Sequence, residues 1–364
     1  MGASSVIDCQ EEFLEIMAYS RLRFSRGQVD KAGANFIKES SLALALPKDE
    51  ETEVINNWRL SHALPLLVIK RTLENRAKRI DPSANVAKRI KRLSSIEAKL
   101  RNLSGFRLTQ IQDIGGCRAI LSGINDVFKL ASAYAAKNKS TVRVKDDYIA
   151  QPKSDGYRSM HLVATYKSKS SAYAIYDGLK IEIQLRSKLQ HAWATAVETV
   201  STFTSIPVRS EDSNPQWRRF FALMGTAIAR REHQSVVPGT EDADVAYELS
   251  QLSAALNVRY LLSSWTHALT YTLPMHKDSA NASDFLLVLD SDARTGSTSS
   301  FPRGDSRRAF EEYFKTERQF RGKPNVQVVL VSVESIDELR EAYPNYYADT
   351  GVFLEALRFA TVPQ

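Results

Sequence analysis

The chain has 364 residues, 43% of them hydrophobic and 25% charged, an ordinary globular balance with enough length for one large or two unequal domains. Its longest apolar stretches, near Leu42–Leu46 and Ala63–Ile69, fall short of the roughly 18 residues a membrane span needs. The formal net charge is +7, and two cysteines, Cys9 and Cys117, exclude a disulfide framework or a thiolate zinc cage.

The N-terminus carries Asp8, Glu11 and Glu12 where a signal peptide has a basic start and an apolar run, so a cytoplasmic protein is expected. Six scattered histidines offer no pair at helical metal spacing. Any metal is therefore expected to be Mg²⁺ on carboxylates and phosphates, with no zinc.

In chain order, Phe13, Ile16, Met17 and Leu22 predict helix from Cys9 to about Leu46. A second helix is predicted from about Glu51 to Arg79, with Trp58, Leu60, Leu64, Leu67 and Ile69 inward, ending before Asp81-Pro82. Lys88–Arg101 reads as a further helix with Ser95 and Ile96 near its middle. Between Lys70 and Arg107 stand twelve Lys or Arg against Glu74, Asp81 and Glu97. Such a field attracts nucleotide or RNA phosphate; spread around helices, the same residues form a solvated face.

The period then changes. Arg118–Leu121, Thr141–Val144, His161–Thr165 and Leu179–Gln184 are short strand-like runs. Asn125–Lys137 and Ser187–Thr204 read as helices, and Gln151-Pro152 with Ser154-Asp155-Gly156 as a turn. The expected fold class is α+β, a mixed β-sheet flanked by helices. Around Val236–Asp244 the composition turns rich in Pro, Gly and acid, which places a boundary between residues 1–244 and a smaller α+β C-terminal module, 245–364. In that module Ala268–Leu273, Phe285–Leu289 and Val326–Val333 are predicted strands, Arg307–Phe320 a helix, and Asp292–Asp305, rich in Ser, Thr and Gly, a loop. Ser335-Ile-Asp-Glu338 is a capping box for a last helix ending near Tyr343-Pro344.

Three blocks carry chemistry: Asp113-Ile-Gly-Gly-Cys-Arg118, Lys153-Ser-Asp-Gly-Tyr-Arg-Ser-Met-His161, and Glu182-Ile-Gln-Leu-Arg186 followed by His191-Ala-Trp193. Phosphoryl and pyrophosphoryl transfer needs metal-binding carboxylates, cations to offset charge, and an acid group near the attacking hydroxyl. Asp113, just before one strand, and Glu182, within another, are suited to meet across one sheet; separately they are a capping acid and the polar face of a strand. Tyr157, presented by a glycine turn, either stacks a purine or fills the core. Lys153 and His161 flank it, within reach of phosphate or ribose or simply packed. Trp193 reads first as core.

Together with Arg89-Ile-Lys91-Arg-Leu-Ser-Ser95-Ile-Glu-Ala-Lys99, these blocks resemble the synthetase domain of the RelA/SpoT family, enzymes that move pyrophosphate from ATP to a ribose 3′-hydroxyl. The resemblance is strong over Val86–Val197. It implies Arg89 and Arg118 sandwiching adenine, with Lys91, Ser95 and Lys99 on the ATP phosphates. Asp113 and Glu182 become the Mg²⁺-binding acids, Glu182 also activating the hydroxyl. Tyr157 would hold the acceptor base, and Lys153, His161, Gln184 and Arg186 its phosphates and ribose. No His-Asp hydrolase region precedes the blocks, as in small single-function members.

The plan as a whole is similar to the CapRel group of fused toxin–antitoxins in phage defence. That likeness implies a pseudo-zinc-finger C-terminal module whose Tyr-x-x-Tyr segment, here Tyr343 and Tyr346, closes the ATP site until a phage protein binds. It also implies the tRNA 3′-terminal adenosine as acceptor, in place of the GDP or GTP of alarmone synthetases. Tyr343 and Tyr346 otherwise read as core, and so do Val326, Val328 and Leu330, which the likeness makes a candidate trigger surface. A catalytically inactive nucleotide or RNA sensor is the further alternative.

Overall fold

The structure is a computed structural model; residues 21–39, 49–103, 105–137, 141–204, 208, 214–263, 282–290, 292–293, 295–323, 325–333 and 350–362 are described. Helices α1 (Arg26–Glu39), α2 (Asp49–Ser61) and α3 (Ala63–Ile80) lead into β1 (Asn85–Ile90) and α4 (Leu93–Asn102). There follow β2 (Gly115–Leu121), α5 (Ile124–Lys137), β3 (Val142–Asp147), β4 (Met160–Thr165), β5 (Lys180–Ser187) and α6 (Lys188–Thr204). Next come α7 (Pro215–Arg231), α8 (Val245–Ala255), β6 (Ala282–Asp290), β7 (Thr295–Pro302), α9 (Ser306–Gln319), β8 (Val326–Ser332) and α10 (Gly351–Ala360). Among the described residues no helix is long and apolar enough to cross a membrane.

Among the described residues the eight strands form one sheet in the order β3-β4-β5-β2-β1-β8-β6-β7. Only β2 and β5 pair in parallel, with Gly116 opposite Glu182; the other neighbours are antiparallel. This is the mixed sheet flanked by helices that the changing hydrophobic period implies. The strands beyond residue 244 extend the same sheet, because β8 pairs with β1 through Lys88↔Ser332 and Arg89↔Val331.

Two apolar layers cover the sheet. On one face Leu64, Leu67, Leu73 and Ala77 of α3 meet Cys117, Ala119, Ile181 and Ile183, joined by Phe310 and Tyr313 of α9. On the other, Ala87, Ile120, Val329 and Val331 lie with Trp193, Phe220, Phe221 and Phe353 from α6, α7 and α10. Alternation along each strand sends successive side chains to opposite layers. β8 is apolar at nearly every position because it lies inside the sheet, covered on both faces. Val328 and Leu330 are thus buried against the α9 layer and offer no docking surface; only Val326 is partly exposed.

Three sequence expectations need correction. The helix predicted from Glu51 to Arg79 is two helices broken at His62, because Pro65 has no N–H to donate to Ser61 and sits instead in the first turn of α3. Lys88 to Ile90 are strand, not helix: Val86 and Ile90 alternate inward while β1 pairs with β2, and tertiary pairing outweighs helix propensity there. The predicted loop Asp292–Asp305 contains the edge strand β7. Its polar residues suit an outer strand with a solvated face, and its one buried anchor is Phe301. The expected elements Ala268–Leu273 and Ser335–Tyr343, with Tyr346, lie outside the described residues.

Candidate active site

A cleft of about 640 Å³ opens over the β4-β5-β2-β1 part of the sheet. It brings together Arg89, Lys91, Ser95, Asp113, Arg118, Lys153, Tyr157, His161, Glu182, Gln184 and Arg186 along its walls. These come from β1, α4, the turn before β2, β2, the 153–157 turn, β4 and β5, so one sheet face collects residues up to about a hundred positions apart.

On the first side, Asp113 is clamped. Lys91 Nζ donates to Oδ2 and Lys99 Nζ to Oδ1, each at 2.8 Å. Although burial favours the neutral acid, the two ammonium groups outweigh it and hold the carboxyl far below the usual carboxylate range. Burial pulls the Lys91 ammonium down, only partly offset by Asp113. Lys91 is itself tied at its backbone, its N–H donating to Ile114 O at 2.8 Å.

Beside this clamp Arg89 and Arg118 flank Gly116, one across the ladder and one along the strand. A Cβ on Gly116 would meet nothing within 4 Å. Both arginines line the cleft with the open Gly116 position between them, and planar guanidinium groups suit a flat ring. Gly115 serves packing instead, since a Cβ there would fall 2.6 Å from Ile181 Cδ1.

On the second side a closed ring of hydrogen bonds runs through five side chains. Glu182 accepts from Gln184 Nε2 at 2.8 Å and lies 3.3 Å from His161 Nδ1. His161 Nε2 meets the Tyr157 hydroxyl at 2.8 Å, and Arg186 Nη2 donates both to that hydroxyl at 2.9 Å and to Gln184 Oε1 at 3.3 Å. Burial opposes charge on Glu182, His161 and Tyr157. Even so, the bond to Glu182 raises the His161 imidazolium, and the bond from His161 keeps Glu182 below its ordinary value. The Tyr157 hydroxyl, facing Arg186 and His161, is lowered to about 8.

Tyr157 is only 5% exposed. Its ring packs edge-on against Tyr148 and Trp193, at 5.7 and 6.2 Å, and Gly156 holds the turn with a φ of +95° that favours glycine. The more open ring at this end is Tyr148, with Lys153 Nζ 4.6 Å above it. Trp193 is core as expected, 2% exposed, with Nε1 donating to Phe221 O at 2.9 Å.

Sequence reasoning missed Tyr148, Lys145 and Asp146 at this end, and Arg92, Glu198, Ser201, Thr202, Gln327 and Val329 around the other wall. Position at the end of a strand was the one signal for Tyr148. Gln327 had none, since only β8 joining β1 carries it to the cleft, where it donates to Thr202 at 2.7 Å and accepts from Arg92 at 3.2 Å. The basic run also divides. Arg71, Arg76, Lys78 and Arg79 ride on α3 over the opposite face, while Arg89, Lys91, Arg92 and Lys99 belong to the cleft side.

The donor set suits Mg²⁺: Asp113 and Glu182 offer oxygen from two sides of one cleft, and this ion commonly takes one or two carboxylates and completes its shell with phosphate oxygens and water. Among the described residues no cluster of three or more His, Cys, Asp or Glu forms a self-sufficient metal cage.

Residues 88–203 match the family described as a region found in RelA / SpoT proteins. Curated relatives include the GTP pyrophosphokinases YjbM and YwaC of Bacillus subtilis (strain 168). Each is 31% identical, over 31% and 32% of this chain and 54% and 56% of the relative. The chain thus spans about half the length of the curated relatives it matches. The crystal structure of the small alarmone synthetase 1 from Bacillus subtilis aligns with a TM-score of 0.41 and 21% identity, over 55% of this chain and 96% of that one. The clamp on Asp113, the two cleft arginines and the Glu182 ring all lie inside 88–203, the segment that matches the RelA / SpoT model.

Proposed function

We propose that the protein is an ATP-dependent pyrophosphokinase that transfers the β,γ-pyrophosphate of ATP to a ribose 3′-hydroxyl. The carrying observation is that two acids line one cleft, Asp113 just before β2 and clamped by Lys91 and Lys99, and Glu182 on the neighbouring β5 and kept below its ordinary pKa by His161. In this reading the Arg89–Arg118 slot takes adenine, and Lys91, Ser95 and Lys99 turn to the phosphates. Glu182 orients the attacking hydroxyl and takes its proton, the new bond forms from the 3′ oxygen to the β-phosphorus, and AMP leaves with the electron pair. Mg²⁺, held by Asp113 and Glu182, would gather the donor phosphates and offset their charge. Lys153, Tyr157, Gln184 and Arg186, with the newly found Tyr148, form the acceptor end.

The tRNA 3′-terminal adenosine is the acceptor we favour. Arg143, Lys145 and Lys153 are exposed beside the cleft on and after the edge strand β3, a line of charge longer than one nucleotide requires. GDP or GTP is the second reading, favoured by the likeness to the two Bacillus subtilis GTP pyrophosphokinases. Supplying ATP labelled in the β,γ-phosphates together with deacylated tRNA or guanine nucleotide decides it: label on tRNA supports the first, label on guanine nucleotide the second. Asp113→Asn should abolish either, by about 10²-fold or more. Label on neither leaves a binding protein and ends the enzyme reading.

We extend the same proposal to the C-terminal module. Gln327 and Val329 line the cleft and Val331 pairs with Arg89, so the chain leaves β8 beside the donor slot, which supports a covering role for Tyr343 or Tyr346. Release by a phage protein that binds 245–364 rests on the CapRel likeness. Tyr346→Ala should stop growth on expression, and Asp113→Asn added to it should restore growth; normal growth with soluble Tyr346→Ala protein would defeat the covering role.

A further inference from the structure

Arg59 of α2 is 0% exposed and lies outside the segment 88–203 that matches the RelA / SpoT model. Its Nη1 and Nη2 meet Glu317 Oε2 and Oε1 of α9 at 2.8 and 3.3 Å. Nη2 also donates to the Tyr313 hydroxyl at 2.8 Å and Nη1 to Asn56 Oδ1 at 2.7 Å. The remaining nitrogen, Nε, donates to the backbone carbonyl of Lys91 at 3.0 Å. Glu317 in turn accepts the N–H of Leu93, the first residue of α4, at 2.8 Å. Arg92, at the N-cap of α4, provides no side-chain cap, so a carboxylate more than two hundred residues away caps that helix and favours its positive end.

The pair therefore brackets residues 91–93, Arg59 from the carbonyl of 91 and Glu317 from the N–H of 93, while Ile114 O holds the N–H of 91. Three anchors leave the segment little freedom. The side chain of Lys91 leaves the bracket itself and that of Lys99 leaves α4 fewer than two turns on, and both end on Asp113. A swing of the α4 N-terminus would part them.

We propose that Arg59 and Glu317 are positioning residues for the ATP-phosphate segment, so that the α9 part of the C-terminal module builds the donor site as well as adjoining it. This deepens, and rests on, the pyrophosphokinase reading. Burial makes the pair decisive, because removing one partner strands a charge with no water to solvate it.

The test uses the full chain carrying Glu317→Gln, which keeps shape and an oxygen for Leu93 but not the charge, and Tyr313→Phe, which removes one bond to each partner. Hydrogen–deuterium exchange at the amides of 93–96 should quicken about ten-fold or more, as loss of a bond to a charged group implies, with β5 amides unchanged. The KM for ATP should rise by a similar factor, with kcat and the acceptor KM within about two-fold. Unchanged exchange at 93–96 in a folded variant overturns the proposal, as does a fall confined to kcat. Should Glu317→Gln fail to fold, Tyr313→Phe, which keeps the ion pair and the volume, decides by the same two readings. Exchange needs no catalysis, so it still decides on positioning if neither acceptor is labelled and the pyrophosphokinase reading itself falls.

Discussion

Tyr157 shows how a single oxygen records its surroundings. Arg186 donates to it at 2.9 Å and His161 Nε2 stands at 2.8 Å, so the phenolate gains more than the phenol from this site. Its folded pKa falls to about 8 from the ordinary 10.0 despite burial. A depressed acid stabilises the fold fully above the unfolded value and loses that contribution as pH falls through the folded one, here between about 10 and about 8. The amount is on the order of 3 kcal/mol. Near-ultraviolet titration should reveal one tyrosinate with a midpoint about two units early, absent in Tyr157→Phe; a wild-type curve identical to that of the variant would refute the ring of bonds. The ring's burial follows from the same fact, since the hydroxyl is held inside the wall while Tyr148 takes the open position.

At the scale of elements, the break between α2 and α3 concentrates an electrostatic cost. His62 sits at the break, 1% exposed, its Nδ1 2.8 Å from Trp58 O and its ring edge-on to Trp58 at 5.0 Å. Burial lowers its pKa from the ordinary 6.5 to about 4, against the carbonyl bond that favours charge. The unfolded chain therefore takes up a proton first as pH drops. Stability from neutral His62 is whole above about 6.5 and disappears between 6.5 and 4, on the order of 3 kcal/mol. Urea unfolding near pH 7 and near pH 4 should show His62→Gln losing less over that interval than wild type; equal losses would mean His62 stays neutral in both states.

At the scale of the molecule, the C-terminal third completes the sheet rather than resting on it. Removing 245–364 would bare the β1 edge, strip Phe353 from Phe220 and Phe221, and strand Arg59 without Glu317. Loss of one partner of a buried pair alone costs about 3–5 kcal/mol, and an exposed edge invites aggregation. The truncated protein should therefore be insoluble or inactive even though Tyr346→Ala is expected to be active; a soluble, active truncation measured in the labelled-ATP assay would show that the segment is only a cover. Much of the site was legible in the sequence. The blocks at Asp113, Gly156-Tyr157 and Glu182, the helix 124–137 and the short middle strands follow from motif, period and turn residues within a few positions of one another. What the sequence alone determined was thus the chemistry of the cleft and the periods of its elements, because both are written locally. Tertiary structure alone decided that β8 pairs with β1, that Gln327 reaches the cleft, that Arg59 and Glu317 bracket residue 91, and that Tyr157 turns inward. Each depends on which distant surfaces bury one another, and pairing across more than two hundred residues leaves no trace in local pattern.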